Sequence, residues 1–169
     1  MDFSEQLTAF HQARREQVAE EWNRHLPFGD YVSDRWERAK VMGFGAESSI
    51  YDSAVVLGKI SVGSHVWIGP FTLLDGSGGL TIGDYVSIAA GVQIYSHDSV
   101  QWALSGGTAA YEYAPVSIGS RCYIGPNTVI GKGVTIGDGC IIGANSLVLR
   151  DVPAGSKAFG TPCKVIGPA

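Results

Sequence analysis

Like charges never cluster in this 169-residue chain. Lys and Arg number 12 and Asp and Glu 16, for a net charge of −4. Nucleic acid as the main partner needs grouped Lys and Arg to neutralise phosphates, and no such group is present. No apolar run approaches the ~20 residues that cross a bilayer, so no membrane span is expected. The start, Met1-Asp2-Phe3-Ser4-Glu5, has neither a basic region nor an apolar one, and no secretory signal is visible. Cysteine is scarce. Cys122, Cys140 and Cys163 show no zinc spacing and no CxxC pair, which points to free thiols in a reducing cytoplasm.

Glycine, by contrast, is abundant at 23 residues, and its placement is periodic. From Ile50 an aliphatic residue recurs every six positions, at Ile50, Val56, Val62, Ile68 and Leu74. After a two-residue slip it resumes at Ile82, Ile88 and Ile94. After a loop it runs on through Ile118, Ile124, Ile130, Ile136, Ile142 and Val148. Gly follows at 63, 69, 83, 119, 125, 131, 137 and 143. A small or branched residue stands two places before, as at Thr72, Val86, Val92, Val116, Cys122, Thr128, Val134, Cys140 and Ser146. Six residues are too few for a hairpin or a helical repeat. They suit one short strand and one tight corner. Repetition gives a β-solenoid, whose hexapeptide signature is known. Three units close a coil of eighteen residues, so residues eighteen apart stack at about 4.8 Å.

Two domain-like regions follow. Residues 1–47 form an N-terminal helix and connector, and residues 48–169 form the solenoid with an external loop at about 96–115. Phe3, Leu7, Phe10, Val18, Trp22 and Leu26 predict a helix over 3–26, with Asp2 and Glu5 forming a capping box and Pro27 ending it. Its expected task is to cover one end of the solenoid. Residues 27–47 read as a connector with a short helix around 34–41.

The units [Ile/Val/Leu]-Gly-x-x-[small/branched]-x resemble the hexapeptide-repeat acyltransferases. Within them the likeness is to sugar and polysaccharide O-acetyltransferases of the maltose/galactoside type. The segments Ser96-His97-Asp98, Ile124-Gly125-Pro126-Asn127, Ile142-Gly143-Ala144-Asn145-Ser146 and Gly160-Thr161-Pro162-Cys163-Lys164 carry it. The resemblance covers about residues 50–166. It implies an all-β left-handed parallel β-helix with an N-terminal α-helix. It implies a homotrimer with active sites between subunits, an acetyl-CoA co-substrate, and a sugar or nucleotide-sugar acceptor. The expected reaction is acetylation of a sugar hydroxyl in surface polysaccharide or lipopolysaccharide assembly. An amine acceptor and a non-catalytic binding solenoid are the alternatives.

His97 matches the catalytic histidine of that family and precedes the external loop. Imidazole titrates near neutral pH, so it suits the role of general base. Asp98 is a candidate for orienting His97 or touching acceptor, and equally for a turn residue. Asp75, at the register slip, is an expected acceptor contact. So are Trp102, Tyr111 and Tyr113 in the loop, and Tyr123; the loop aromatics also suit packing against a neighbouring subunit. Ser105-Gly106-Gly107 reads as a flexible tip. The resemblance places the co-substrate near Gly143, Ala144, Arg150 and Lys164. Lys132 lies eighteen before Arg150 and is added with Lys157 as a phosphate cation. The family's oxyanion amide falls at Pro126, which has no N–H. Gly125, Asn127 or stabilisation by another route is the expected replacement. The histidines lack the spacing of a zinc site, and no metal is expected. Cys122 and Cys140 stack in the core, as a disulfide or as small hydrophobic thiols.

Overall fold

The computed structural model describes residues 2–169. Helix α1 spans Phe3–Trp22, α2 Phe28–Val32 and α3 Arg35–Val41. Asp2 caps α1 as expected. Its side chain accepts from the Glu5 N–H, and Glu5 accepts in return from the Asp2 N–H. The C-terminus differs from expectation. Asn23 takes the left-handed conformation at φ 50° and ends α1 four residues early, while Pro27 caps α2 instead. Asn tolerates that conformation better than most residues, because its short polar side chain bonds locally.

The covering of the solenoid also differs. No residue of α1 is buried; it rests on α2, with the His11 ring 4.9 Å from Phe28 and 5.4 Å from Tyr31. The end is closed by α3, whose Ala39 is buried in the core cluster with Phe44. Arg38 on α3 donates to the carbonyls of Tyr51 and Ala54. Those carbonyls belong to the first coil, and the guanidinium satisfies acceptors there that no further coil would pair.

The solenoid begins with β1 (Ser49–Ile50) and the long β2 (Val55–Val62). Then come β3 (Trp67–Ile68), β4 (Leu73–Ile82), β5 (Ser87–Ile88) and β6 (Gln93–Ile94). An excursion follows through β7 (His97–Asp98), α4 (Val100–Leu104) and β8 (Glu112–Tyr113). The coil resumes with β9 (Val116–Ile118), β10 (Tyr123–Ile124), β11 (Val129–Ile130) and β12 (Thr135–Ile136). It ends with β13 (Ile141–Ile142), β14 (Leu147–Val148), β15 (Ser156–Phe159) and β16 (Lys164–Pro168).

This is a hexapeptide-repeat parallel β-helix of about six turns. One face stacks β1-β3-β5-β10-β13-β15, closed by the antiparallel β16. The eighteen-residue register holds where predicted, as in Ile50↔Ile68, Ile124↔Ile142 and Ile130↔Val148. Ile50, Ile68, Leu74, Ile88, Ile94, Ile124, Ile130 and Ile142 have no exposed surface. Each such aliphatic chain contributes ~1.5–3 kcal/mol on burial.

The outward positions differ among the faces. One shows Val55, Leu73, Gln93, Val129 and Leu147, another Ser61, Thr81, Ser117 and Thr135. Cys122 and Cys140 are buried free thiols, which removes the disulfide alternative. Each S–H reaches a carbonyl of the next coil, at Gly137 and Pro153 respectively, both at 3.1 Å. Burial pushes the Cys122 thiol pKa up. Among the described residues no helix is long and apolar enough to cross a membrane.

Candidate functional site

The two-residue slip after Leu74 is where the site is built. In regular units Gly follows the aliphatic residue; here Asp75 does. The extra residues are absorbed in β4, where the pairing with β2 shifts between Gly58 and Ile60. Just before that shift the Asp75 carboxylate has no exposed surface, covered by Ser96 and His97. Its Oδ1 accepts from the Ser77 N–H at 2.9 Å. Its Oδ2 accepts from the Ser96 N–H at 2.8 Å and the Ser96 hydroxyl at 3.2 Å. The same oxygen lies 2.5 Å from His97 Nδ1. Burial alone raises a carboxyl pKa. The bonds from Ser77, Ser96 and His97 outweigh that and hold Asp75 well below the usual carboxylate range.

Gly78 makes the close packing here possible. Its N–H donates to the Ser96 hydroxyl at 2.8 Å, and a Cβ there would stand 2.2 Å from the Ser96 carbonyl oxygen. Thus two coils are drawn together around one buried charge.

A carboxylate only accepts hydrogen bonds, so Nδ1 of His97 carries the proton in this pair. Nε2 is then the basic nitrogen, and among the described residues no protein partner takes it up. The imidazole side chain keeps 27% of its surface exposed. It is held between elements that leave little freedom. β7 pairs antiparallel with β8, so His97 faces Tyr113 and Asp98 faces Glu112. The His97 ring stacks with Tyr113 at 5.6 Å and with Tyr111 at 6.3 Å. Trp102, on α4, meets Tyr111 edge-on at 5.8 Å. The loop therefore forms an exposed aromatic ledge beside the base. Ser105-Gly106-Gly107 follows α4 as its C-terminal cap: Gly106 and Gly107 take positive φ and the Gly107 N–H returns to the Trp102 carbonyl.

Several expected roles are redistributed. The partner of His97 is Asp75, not Asp98. Asp98 accepts from the Val100 N–H at 3.0 Å and pairs with Lys132 at 2.8 Å. Lys132 also pairs with Glu112. These bonds hold the Asp98 carboxyl below its ordinary pKa and raise that of Lys132. The amides proposed to replace Pro126 are engaged: Gly125 N–H donates to Ile142 O at 2.8 Å, and Asn127 N–H to Ala90 O at 3.0 Å. Neither is a free oxyanion donor, because both are rungs between coils.

Tyr123, Ala144, Arg150 and Lys164 are exposed, Lys157 partly so. Gly143 underlies the Phe159 ring, which a Cβ would meet at 2.2 Å. Arg150, Lys157 and Lys164 have no carboxylate within 4.0 Å among the described residues. A cavity of about 80 Å³ lies far from this chemistry, between α1, α3 and Tyr51. Among the described residues no group of three or more His, Cys, Asp or Glu is placed to hold a metal ion.

Ser96, Ser77 and Glu112 were not anticipated. A signal existed for Ser96, which directly precedes His97 at the loop boundary. None existed for Glu112, which lies in a stretch without periodicity.

Residues 115–150 match the family model described as bacterial transferase hexapeptide (six repeats). That stretch lies within the second half of the solenoid, from β9 to just past β14. It is 39% identical over 109 residues to nodulation protein L of Rhizobium meliloti, covering 64% of this chain and 60% of that protein. The chain spans less than two thirds of the length of the curated relatives it matches. Solved structures match over more of their length. A hexapeptide-repeat-containing acetyltransferase from Vibrio cholerae aligns with TM-score 0.71 and 26% identity, covering 96% of this chain and 92% of that one. The Vibrio protein has also been crystallised with acetyl coenzyme A. A maltose O-acetyltransferase from Clostridium difficile 630 aligns with TM-score 0.61 and 27% identity, covering 97% and 88%.

Proposed function

We propose that this hexapeptide-repeat protein is an acetyl-CoA-dependent O-acetyltransferase acting on a sugar hydroxyl, with His97 as general base and Asp75 as the group that orients it. The observation that carries the reading is the contact of the buried Asp75 with the partly exposed His97 at 2.5 Å, which fixes the tautomer and leaves Nε2 free for a proton. The solved relatives that are acetyltransferases, one with acetyl coenzyme A and one a maltose enzyme, support the substrate pair.

In this reading Nε2 takes the acceptor hydroxyl proton as that oxygen adds to the thioester carbonyl. The C–S bond then breaks, and the imidazolium returns the proton to the departing thiolate. Asp75 stays ionised and balances the imidazolium. No covalent enzyme intermediate is needed: the free cysteines are buried or half-buried, with thiol pKa raised at Cys122 and Cys163.

Arg150 and Lys164 fit the donor's phosphates because they lack protein partners, and Lys157 is a weaker candidate of the same kind. Ala144 and Gly143 fit the pantetheine path. Trp102, Tyr111, Tyr113 and Tyr123 fit the acceptor side, where aromatic faces pack on sugar rings. The outward ladder of Val55, Leu73, Gln93, Val129 and Leu147, apolar at all but Gln93, fits burial between copies in a homotrimer, with the open His97 ledge completed by a neighbour. Surface-polysaccharide or lipopolysaccharide assembly in the cytoplasm is the setting that suits such a substrate pair.

The test is thiol release from acetyl-CoA against free sugars, nucleotide sugars and amino sugars. Turnover with hydroxyl acceptors supports the reading. Turnover with amino sugars alone reassigns the protein to N-acyl transfer. Neither turnover nor donor binding makes it a binding solenoid.

A further inference from the structure

Asp98 and Glu112 face each other across the β7–β8 pair. Like charges directly opposite in an antiparallel pair repel, and this hairpin is only two residues long on each side. Something must hold it. Lys132 comes from the adjoining corner, between β11 and β12. Its ammonium reaches Asp98 at 2.8 Å and pairs with Glu112 as well. Its side chain is 25% exposed, less than either carboxylate. The next residue strengthens the junction. The Gly133 N–H donates to the Ala114 carbonyl at 3.2 Å, just past the end of β8. The hairpin so held carries His97 on one strand and Tyr113 on the other, with Tyr111 adjoining.

We infer that Lys132 is a positioning residue: it clasps the acceptor loop against the solenoid and so fixes the aromatic ledge over His97. This rests on His97 being the base, but the clasp can be measured without turnover. It also separates Lys132 from Arg150. The two are eighteen apart and stack by register, yet Lys132 spends its charge on two loop carboxylates while Arg150 has none within 4.0 Å among the described residues. A donor phosphate would have to compete with both.

The experiment compares wild type, K132M, K132R and D98N/E112Q. Amide exchange over residues 98–113 should speed up about tenfold in K132M, with exchange in the solenoid unchanged. K132R should recover most of the protection. In D98N/E112Q the repulsion is gone, so adding K132M should change little further. Ring currents from Tyr111 and Tyr113 should displace the His97 Cε1–H resonance, and K132M should return it toward an unstacked value. CoA affinity by calorimetry should stay within twofold in K132M. Unchanged exchange at 98–113 in K132M would overturn the clasp. So would an unchanged His97 resonance. A tenfold loss of CoA affinity with an undisturbed loop would make Lys132 a donor-phosphate cation instead. Failure of the acyltransferase reading would show as no CoA binding by any variant, with the loop effects intact.

Discussion

Replacing Asp75 by Asn keeps its shape and removes its charge. The wild-type carboxylate accepts from Ser77 N–H on one oxygen, and from Ser96 N–H, Ser96 Oγ and His97 Nδ1 on the other. An amide has one acceptor oxygen. If that oxygen faces His97, the NH₂ group confronts the Ser77 N–H. If the NH₂ faces His97, the Ser96 N–H is stranded, Nδ1 must accept, and Nε2 becomes the protonated nitrogen. A stranded buried donor costs ~1–3 kcal/mol. Losing the base, or the charge that balances imidazolium, costs about 10²–10⁴ in turnover. Activity should therefore fall far more than stability.

Steady-state thiol release and chemical unfolding, measured on the same samples, compare the two. The pH dependence adds a check on sign. Asp75 ionises more readily folded than unfolded, so its contribution to stability is present above an unfolded pKa of roughly 4. That contribution is lost as pH falls below it. The stability gap between wild type and D75N should hold from pH about 7 to 5 and narrow below pH about 4. D75N with turnover within about threefold of wild type would refute the dyad.

Other changes probe the remaining parts. Arg150→Ala with Lys164→Ala should raise the KM for acetyl-CoA about tenfold or more and leave kcat nearly unchanged, as expected for charge-assisted contacts in ground and transition states alike; a fall confined to kcat would argue against phosphate binding. Gly78→Ala places a methyl 2.2 Å from the Ser96 carbonyl, so it should disturb the Asp75–Ser96 contact and lower kcat without touching donor affinity, as single-turnover kinetics and CoA titration can check. Ile130→Ala removes a side chain with no exposed surface and should cost ~2–5 kcal/mol in urea unfolding.

The repeat was readable because it is a physical constraint renewed at every turn. Ile88, Ile124 and Ile142 must each fill the same slot, so a period of six predicts which residues are buried and what they stack on. The excursion at 96–115 was visible as a gap in that period, with His97 at its edge. What the period could not show was which carboxylate reaches His97. Asp98 is adjacent in the chain, yet a β-strand turns neighbouring side chains to opposite sides. Asp75 lies 22 residues away and meets His97 only because the chain leaving β6 folds Ser96 and His97 back over the Asp75 side chain. The same limit applied to Lys132, whose eighteen-residue spacing to Arg150 suggested a shared role. Spacing gives stacking but does not reveal that Asp98 and Glu112 approach from a loop outside the register. The end cap shows a third case. The spaced apolar residues of α1 predicted a covering helix, but α3 takes that place, with Ala39 in the core and Arg38 donating to the Tyr51 and Ala54 carbonyls.

The central claim is that His97 acts as a base on an acceptor while the donor binds elsewhere. The most direct test is thiol release from acetyl-CoA by wild type and His97→Ala, with CoA affinity measured on both. Turnover should fall by about 10²–10⁴ in His97→Ala while CoA affinity stays within twofold. Undiminished turnover in that variant would contradict the account.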